Sequence, residues 1–381
     1  MSQKTNNVPL LRFGNFKDSW NQQKLNDFAV INPDSNKLPE QFIYIDLECV
    51  NSGELLFENT VFRSDAPSRA QRLLEIGDVL FQMVRPYQKN NYYFNKIGDY
   101  VASTGYAQIR TDQDSKYLYQ YIHFQKFVDR VIERCTGTSY PAINSTDLSN
   151  IPISFPSLPE QQKIASFLTT VDEKLQSLKK KKTLLEQYKK GVMQKIFSQE
   201  IRFRDDNGKE FPEWEEKTLG DCLNYEQPTE YLVTSTDYDD SYKTPVLTAG
   251  KTFILGYTNE TNGIFNKRLP VIIFDDFTTA IQFVSFPFKA KSSAMKILIA
   301  NSEYNIKYLF EAMKNIKYEI GGHERHWISK FSQLEIQCPC FSEQTKIANF
   351  LSAIDDKINH CQTQIEKTEM WKKGLLQRMF C

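Results

Sequence analysis

A segment near the middle of this 381-residue chain recurs without a gap at its end. EQQKIASFLTTVDEKLQSLKKKKTLLEQYKKGVMQKIFS (160–198) aligns on EQTKIANFLSAIDDKINHCQTQIEKTEMWKKGLLQRMFC (343–381). Glu160 matches Glu343, Gln161 Gln344, Phe167 Phe350, Leu168 Leu351 and Asp172 Asp355, while Lys189-Lys190-Gly191 matches Lys372-Lys373-Gly374. A repeat spaced by roughly half the chain means two copies of one unit, and the rest of the sequence has to divide between them.

Inside the repeat the apolar residues step by four and three. Ile164, Leu168, Val171, Leu175, Leu178 and Leu185 in the first copy stand in the register of Ile347, Leu351, Ile354, Ile358 and Ile365 in the second. That spacing is the seam of a coiled coil. Ser157 and Ser342 offer hydroxyl caps, and Glu160 and Glu343 put carboxylates in the first turn, where the helix dipole favours them. At 1.5 Å per residue each helix runs on the order of 55 Å. A single stripe of this kind is equally well the core of a helical hairpin. Two copies in one register point instead to an antiparallel, pseudo-twofold helix pair. The Lys179–Lys182 run reads as a solvated face, with phosphate or a partner as the alternative.

The likeness extends to the borders of what lies between. Leu148 falls on Phe331, Ser149 on Ser332, Ile153 on Ile336 and Pro156 on Pro339 at the offset that aligns the helices. Arg12-Phe13 leads to Trp20, Leu25 and Asp27, as Arg202-Phe203 leads to Trp214, Leu219 and Asp221. Between those borders the two heads differ almost completely. Short strand-like runs dominate both, with one amphipathic helix expected around Tyr117–Ile132 in the first head and one around Ile306–Lys314 in the second. The expected class is α+β: two globular mixed α/β heads separated by a pair of long antiparallel coiled-coil helices, with an internal pseudo-twofold repeat. The expected division is 1–157 for the first head, 158–198 for the first spacer helix, 199–341 for the second head (entry linker 199–213) and 342–381 for the second spacer helix.

Composition narrows the function. Lys plus Arg (47) balance Asp plus Glu (47), so a nucleic-acid surface has to be a local patch. The seven cysteines are scattered, without a CxxC pair or Cys/His cluster for zinc, which suits reduced thiols in a cytoplasm. No apolar run reads as a signal peptide or a membrane span.

The helix openings LPEQQKIASFL and SEQTKIANFL, the endings KKGVMQKIF and KKGLLQRMF, and NGKEFPEWEEKTLGD at the second head's entrance together resemble the specificity subunit of type I restriction-modification systems. Inside the heads, APSRAQRLLEIGDVLFQMVRPY with ASTGYAQIR and TGTSYPAIN, and PVLTAGKTFILGYTNETNGI with PVIIFDDFTTA and GGHERHWIS, resemble two different classes of target-recognition domain. The resemblance covers nearly the whole chain. It implies that each head reads one half of a bipartite site in double-stranded DNA and that the paired helices fix the unread gap. It also implies that the helices dock two copies of a methyltransferase subunit, which carries the S-adenosylmethionine, and that a motor and nuclease subunit completes the complex. This chain would then hold no cofactor and catalyse nothing. The rival from residues alone is a coiled-coil scaffold whose heads bind proteins or small ligands, without DNA.

Base reading calls for Arg or Lys at guanine and Asn or Gln at adenine, with many further contacts to phosphate. In the first head the basic, turn-like segments offer Arg63, Ser68, Arg69 and Arg72, then Arg85, Tyr87 and Lys89, then Thr104 and Tyr106. The repeat offset places Thr138-Ser139-Tyr140 in the slot of Gly321-Gly322-His323, so this loop is expected to face DNA in both heads, with His323, Arg325 and His326 in the second. Lys251 is a further candidate there. His323-x-x-His326 can also be read as a metal pair or as buried structural histidines, and Asp275-Asp276 as an acid/base or metal pair or as a strand end entering a turn. Ala249-Gly250-Lys251-Thr252 is no phosphate loop, because Pro245 stands where the leading glycine belongs. No Asn-Pro-Pro-aromatic or Asp-Pro-Pro-aromatic string is present to hold a flipped adenine.

Overall fold

Both repeat segments form single helices, Leu158–Phe197 and Phe341–Met379, in a computed structural model that describes residues 8–35, 37–250, 252–318 and 326–381. The chain divides into two compact units, the first holding the residues up to Lys180 with Gln362–Cys381, the second Lys181–Cys361. Each long helix therefore contributes one part to each unit.

In the first unit Ile164, Leu168 and Val171 pack with Leu375, Leu376 and Met379. Asp172 pairs with Lys372 and Lys179 with Glu369, so the two helix segments run antiparallel. Ile365 is buried and Leu175 and Leu178 half-buried. In the second unit Ile347, Leu351 and Ile354 pack with Met193 and Ile196, while Leu185 and Ile358 are half-buried.

One framework holds each head to its helices. Asn21–Lys24 pairs antiparallel with Pro152–Phe155, and Glu215–Thr218 with Glu335–Cys338. Each entering strand turns at once into a one-turn helix, Leu25–Phe28 or Leu219–Cys222, where Asp27 or Asp221 accepts from the backbone N–H three residues earlier. The early carboxylates of the long helices are buried anchors as well as dipole partners. Arg12 grips Glu160 with two bonds of 2.7 Å, and Arg202 donates to Glu343 at 2.9 Å beside Trp214 Nε1 at 3.0 Å. Removing the carboxylate of such a buried pair costs about 3–5 kcal/mol.

The head interiors share one further device. Asp114 caps Ser115–Tyr121 and Asn305 caps Ile306–Asn315, and each cap residue's N–H is taken by Gln161 or Gln344 of the long helix. Tyr117 and Tyr308 then donate to the carbonyls of Ser154 and Gln337 on the closing strands. Beyond this the heads diverge. The first builds two four-stranded sheets, ordered Asn59–Phe62, Gln41–Ile45, Tyr100–Ser103, Ala70–Leu73 and Val30–Ile31, Tyr106–Arg110, Val79–Gln82, Tyr92–Tyr93. The second has a four-stranded sheet (Leu223–Glu226, Met295–Ala300, Val271–Asp275, Ile281–Val284) and a three-stranded one (Ile254–Thr258, Thr244–Leu247, Lys289–Ala290).

One expected helix is broken, and one extended run divides. The helix expected over Tyr117–Ile132 is two helices, Ser115–Tyr121 and Gln125–Ile132, because Phe124 between them is extended (ψ 130°) and turns its ring into the core against Phe380. The run Tyr100–Arg110 is two strands in different sheets, divided at Thr104-Gly105, where a Cβ on Gly105 would stand 3.2 Å from Leu47.

Candidate nucleic-acid interface

In the first unit, four sequence-distant loops are stitched together at one end of the head. Thr104 N–H donates to the Arg69 carbonyl at 2.9 Å and Met83 N–H to the Gly105 carbonyl at 3.0 Å. Arg85 N–H donates to the Pro141 carbonyl at 2.7 Å, and Ala142 bridges to both Val84 and Thr136. The strand pairing slips between Ala102 and Ser103, just before the Thr104-Gly105 turn beside Arg69 and Arg72. The segments singled out in the sequence (63–72, 85–89, 103–106 and 138–140) thus meet.

Their side chains divide by exposure. Arg63, Ser68, Arg69, Tyr87, Thr138, Ser139 and Tyr140 are exposed, and Thr104, Arg72 and Arg85 half-buried. Arg63 lies 3.9 Å from Glu40, a loose pair that solvent screens. Burial pulls the Arg72 pKa down, and its Nε has no acceptor among the described residues. Arg85 sits over the Tyr140 ring, 4.2 Å from its centroid.

Two members of the expected set face inward. Tyr106 is fully buried among Ile45, Leu80, Phe94 and Tyr100, because alternation along its strand turns the ring into the core. Lys89 donates to the His123 carbonyl (3.2 Å) and to Gln125 (2.9 Å), so it ties the 86–88 turn to the helix behind it. The Tyr106 side chain is not available to a ligand and leaves the candidate set, while Lys89 stays half-buried with its ammonium engaged by those two acceptors.

A similar convergence occurs in the second unit. Thr248 N–H bonds the Phe253 carbonyl, Lys291 N–H the Leu247 carbonyl, Asp276 N–H the Ala294 carbonyl, and His326 N–H the Asp276 carbonyl. The turn closed by Thr248 and Phe253, the 276–280 and 291–294 loops and the start of His326–Ser329 therefore lie together. Lys251, His323 and Arg325 fall outside the described residues. His326 is buried, with Nδ1 3.2 Å from the Tyr318 hydroxyl, which corrects its expected place at an interface to a structural one. Asp275 accepts from the Phe277 and Thr278 amides of the turn. Asp276 accepts from Trp327 N–H at 2.9 Å and faces buried Lys296 at 3.3 Å. Both carboxylates are thus occupied in holding the turn and the His326–Ser329 helix, which is the strand-end alternative weighed for them. Exposed Lys291 and Phe277 stand out only in the structure, although the turn Lys291-Ser292-Ser293 repeats the basic, small-polar character of 63–72.

A match to the type I restriction modification DNA specificity domain covers residues 17–187 and 212–369. Over 127 residues the chain is 54% identical to the EcoR124I/EcoR124II type I restriction enzyme specificity subunit of Escherichia coli, an alignment spanning 32% of this chain and 31% of that protein. It is 24% identical over 296 residues to the MjaIX type I restriction enzyme specificity subunit of Methanocaldococcus jannaschii, covering 70% of this chain and 68% of the other. In fold it resembles the type I restriction-modification S subunit from M. genitalium, with a TM-score of 0.69 at 16% identity over 98% of this chain and 99% of that one. A chain from a type I system solved for its complex assembly and conformational transition gives a TM-score of 0.54 at 17% identity, over 95% and 97% of the two chains.

Proposed function

The chain belongs to the type I restriction-modification DNA specificity family, and from that premise we propose that it selects the DNA sequence on which a methyltransferase and nuclease complex acts. Each head reads one half of a bipartite site, and the long helices set the gap. The observation that carries this reading is one framework built twice, from Arg–Glu anchor to closing strand, around two unlike sets of converging polar loops. Identical supports with different faces are what a reader of two different half-sites needs. In the first head Ser68, Arg69, Arg72, Arg85, Thr104 and Thr138–Tyr140 form the DNA face, with Arg63 and Tyr87 at its margin. In the second, Lys291 and the turn closed by Thr248 and Phe253 carry the equivalent role.

The chain itself is non-catalytic in this reading, and S-adenosylmethionine belongs to the methyltransferase subunit. Two copies of that subunit dock, one on each repeat-equivalent helix position. Tyr188 (52% exposed) and Trp371 (50% exposed) occupy the same place in the two repeats, each followed by the Lys-Lys-Gly match. An exposed aromatic beside lysines is a ready interface anchor. The motor and nuclease subunit joins this core, and the complex works in the cytoplasm; no described helix is long and apolar enough to cross a membrane.

The test is to replace Trp20–Pro156 with another head of the family and map methylated adenines in a host carrying the chain and its partners. One half of the methylated sequence should change while the other half and the gap persist. A change in both halves, or none, refutes the division of labour.

A further inference from the structure

The structural arginines of the first head are fully engaged. Arg12 holds Glu160, Arg110 holds Asp78 and Glu75, Arg130 bonds the Pro152 carbonyl at 2.8 Å, and Arg134 bonds the Arg130 carbonyl at 2.7 Å. Arg85 is different. Among the described residues no carboxylate or carbonyl engages its guanidinium, and its Nε, like that of Arg72, is buried without an acceptor. What it has is a surface to lie on, the Tyr140 ring, and a backbone in the left-handed region (φ 54°, ψ 53°) that is uncommon for a side chain of this size. Its N–H is tied to the Pro141 carbonyl, so the same loop that supplies the ring also fixes the main chain.

These features define a recognition group. A guanidinium lying over a ring has one side covered, while its N–H donors, which point outward in its own plane, remain able to bond. Stacking also removes rotamer freedom before any ligand arrives, which lowers the entropic cost of a directional bond. Arg69, exposed on the neighbouring loop and, among the described residues, without such a ring beneath it, can swing between phosphate oxygens, whereas Arg85 presents its donors from a fixed place. A rigid planar donor pair matches the O6 and N7 acceptors that guanine displays in the major groove.

We propose that Arg85, pinned on Tyr140, reads a guanine in the half-site of the first head. The proposal rests on the DNA-recognition reading above and adds a residue and a base to it.

The test uses the full chain with its methyltransferase partner and a randomised duplex library, comparing the parent with Arg85→Lys, Arg85→Gly and Tyr140→Leu. Glycine suits the left-handed backbone, lysine keeps the charge, and leucine removes the ring but not the cation. The parent should select guanine at one position of one half-site. Arg85→Gly should lower affinity for that site by about 5- to 150-fold, the value of a bidentate arginine–guanine pair, and relax selection at that base pair alone. Arg85→Lys and Tyr140→Leu should relax the same position in part. The proposal is overturned if Arg85→Gly weakens binding to all sequences alike and reduces the salt slope by about one, the signature of a phosphate contact. It is equally overturned if selection is unchanged. A parent complex with no sequence selection at all would instead sink the DNA-recognition reading beneath it.

Discussion

Glu311 is a buried carboxylate facing three lysines of the second unit, and replacing it with glutamine should destabilise that unit by about 3 kcal/mol, at the lower end of the cost of breaking a buried ion pair. Its side chain is fully buried, 3.0 Å from Lys189 Nζ, 2.9 Å from Lys307 Nζ and 3.6 Å from Lys314 Nζ. Lys189 and Lys307 also share Asp355, at 2.6 and 3.0 Å. Burial opposes ionisation of Asp355, but the bonds from those two lysines win and hold its pKa below the usual range. At an effective dielectric of about 20, each contact near 3 Å is worth about 5–6 kcal/mol gross. Desolvating the carboxylate takes back several kcal/mol of that sum, and glutamine preserves volume and one acceptor, hence the modest net figure. The first unit supplies a natural contrast. There Gln120 donates to Asp172 at 2.7 Å beside Lys372, while Lys116, which holds the place of Lys307, leans toward the Tyr93 ring. With fewer lysines drawn to the carboxylate, an amide suffices. Urea unfolding followed by the fluorescence of Trp214 and Trp327, both in the second unit's core, would measure the loss, and hydrogen exchange over 306–315 would localise it. Adding Lys307→Met to Glu311→Gln should recover at least about 1 kcal/mol, since the surplus cation goes with the carboxylate. A Glu311→Gln variant within about 0.5 kcal/mol of the parent, or strictly additive substitutions, would refute the reasoning.

Further outcomes follow from other buried and exposed groups. Burial, with the charge of Lys372 adding, pushes His123 down to about 4, while its Nδ1–H donates to the Tyr119 carbonyl at 2.7 Å. Between about 4 and the unfolded value near 6.5 the unfolded chain binds a proton that the folded chain refuses, so stability is full above about pH 6.5 and declines as pH falls. Thermal unfolding of the first unit across that window should show the decline, and His123→Gln should flatten it; parallel profiles would count against a neutral buried imidazole. Separately, Tyr188→Ala and Trp371→Ala should each remove one methyltransferase copy from the assembled complex, read as mass in solution, and the double substitution both. Retention of two copies by the double variant would discard these anchors.

The legible part of this fold was whatever the repeat carried twice. Leu168 and Leu351, Ile164 and Ile347 declared the helix seam through spacing alone, because burial of a stripe leaves its period in the sequence. Asp172/Asp355 and Lys189/Lys372 were just as plainly matched, yet that they bond across helices was not readable, since identity gives no direction to a side chain. The interior of each head occurs once, so its errors had no second copy to correct them. Phe124 breaks a helix whose amphipathic pattern continues through it, because tertiary packing with Phe380 outweighs local propensity. Tyr106 and His326 look like ligand groups by type, and only the sheet register and the Asp276 turn reveal that they point inward. Arg85 was legible as a candidate, but its clamp on Tyr140 depends on a pairing between residues far apart in the chain.

Phe380 lies against Trp20, Tyr117, Tyr121 and Phe124, and Leu11 N–H reaches the Arg378 carbonyl at 2.7 Å. A ribosome releases those four aromatic rings long before it makes the residue that plugs them. The core of the first head is therefore incomplete until Phe380 is made, and nascent chains halted ahead of it should be cut by proteases faster than chains that include it.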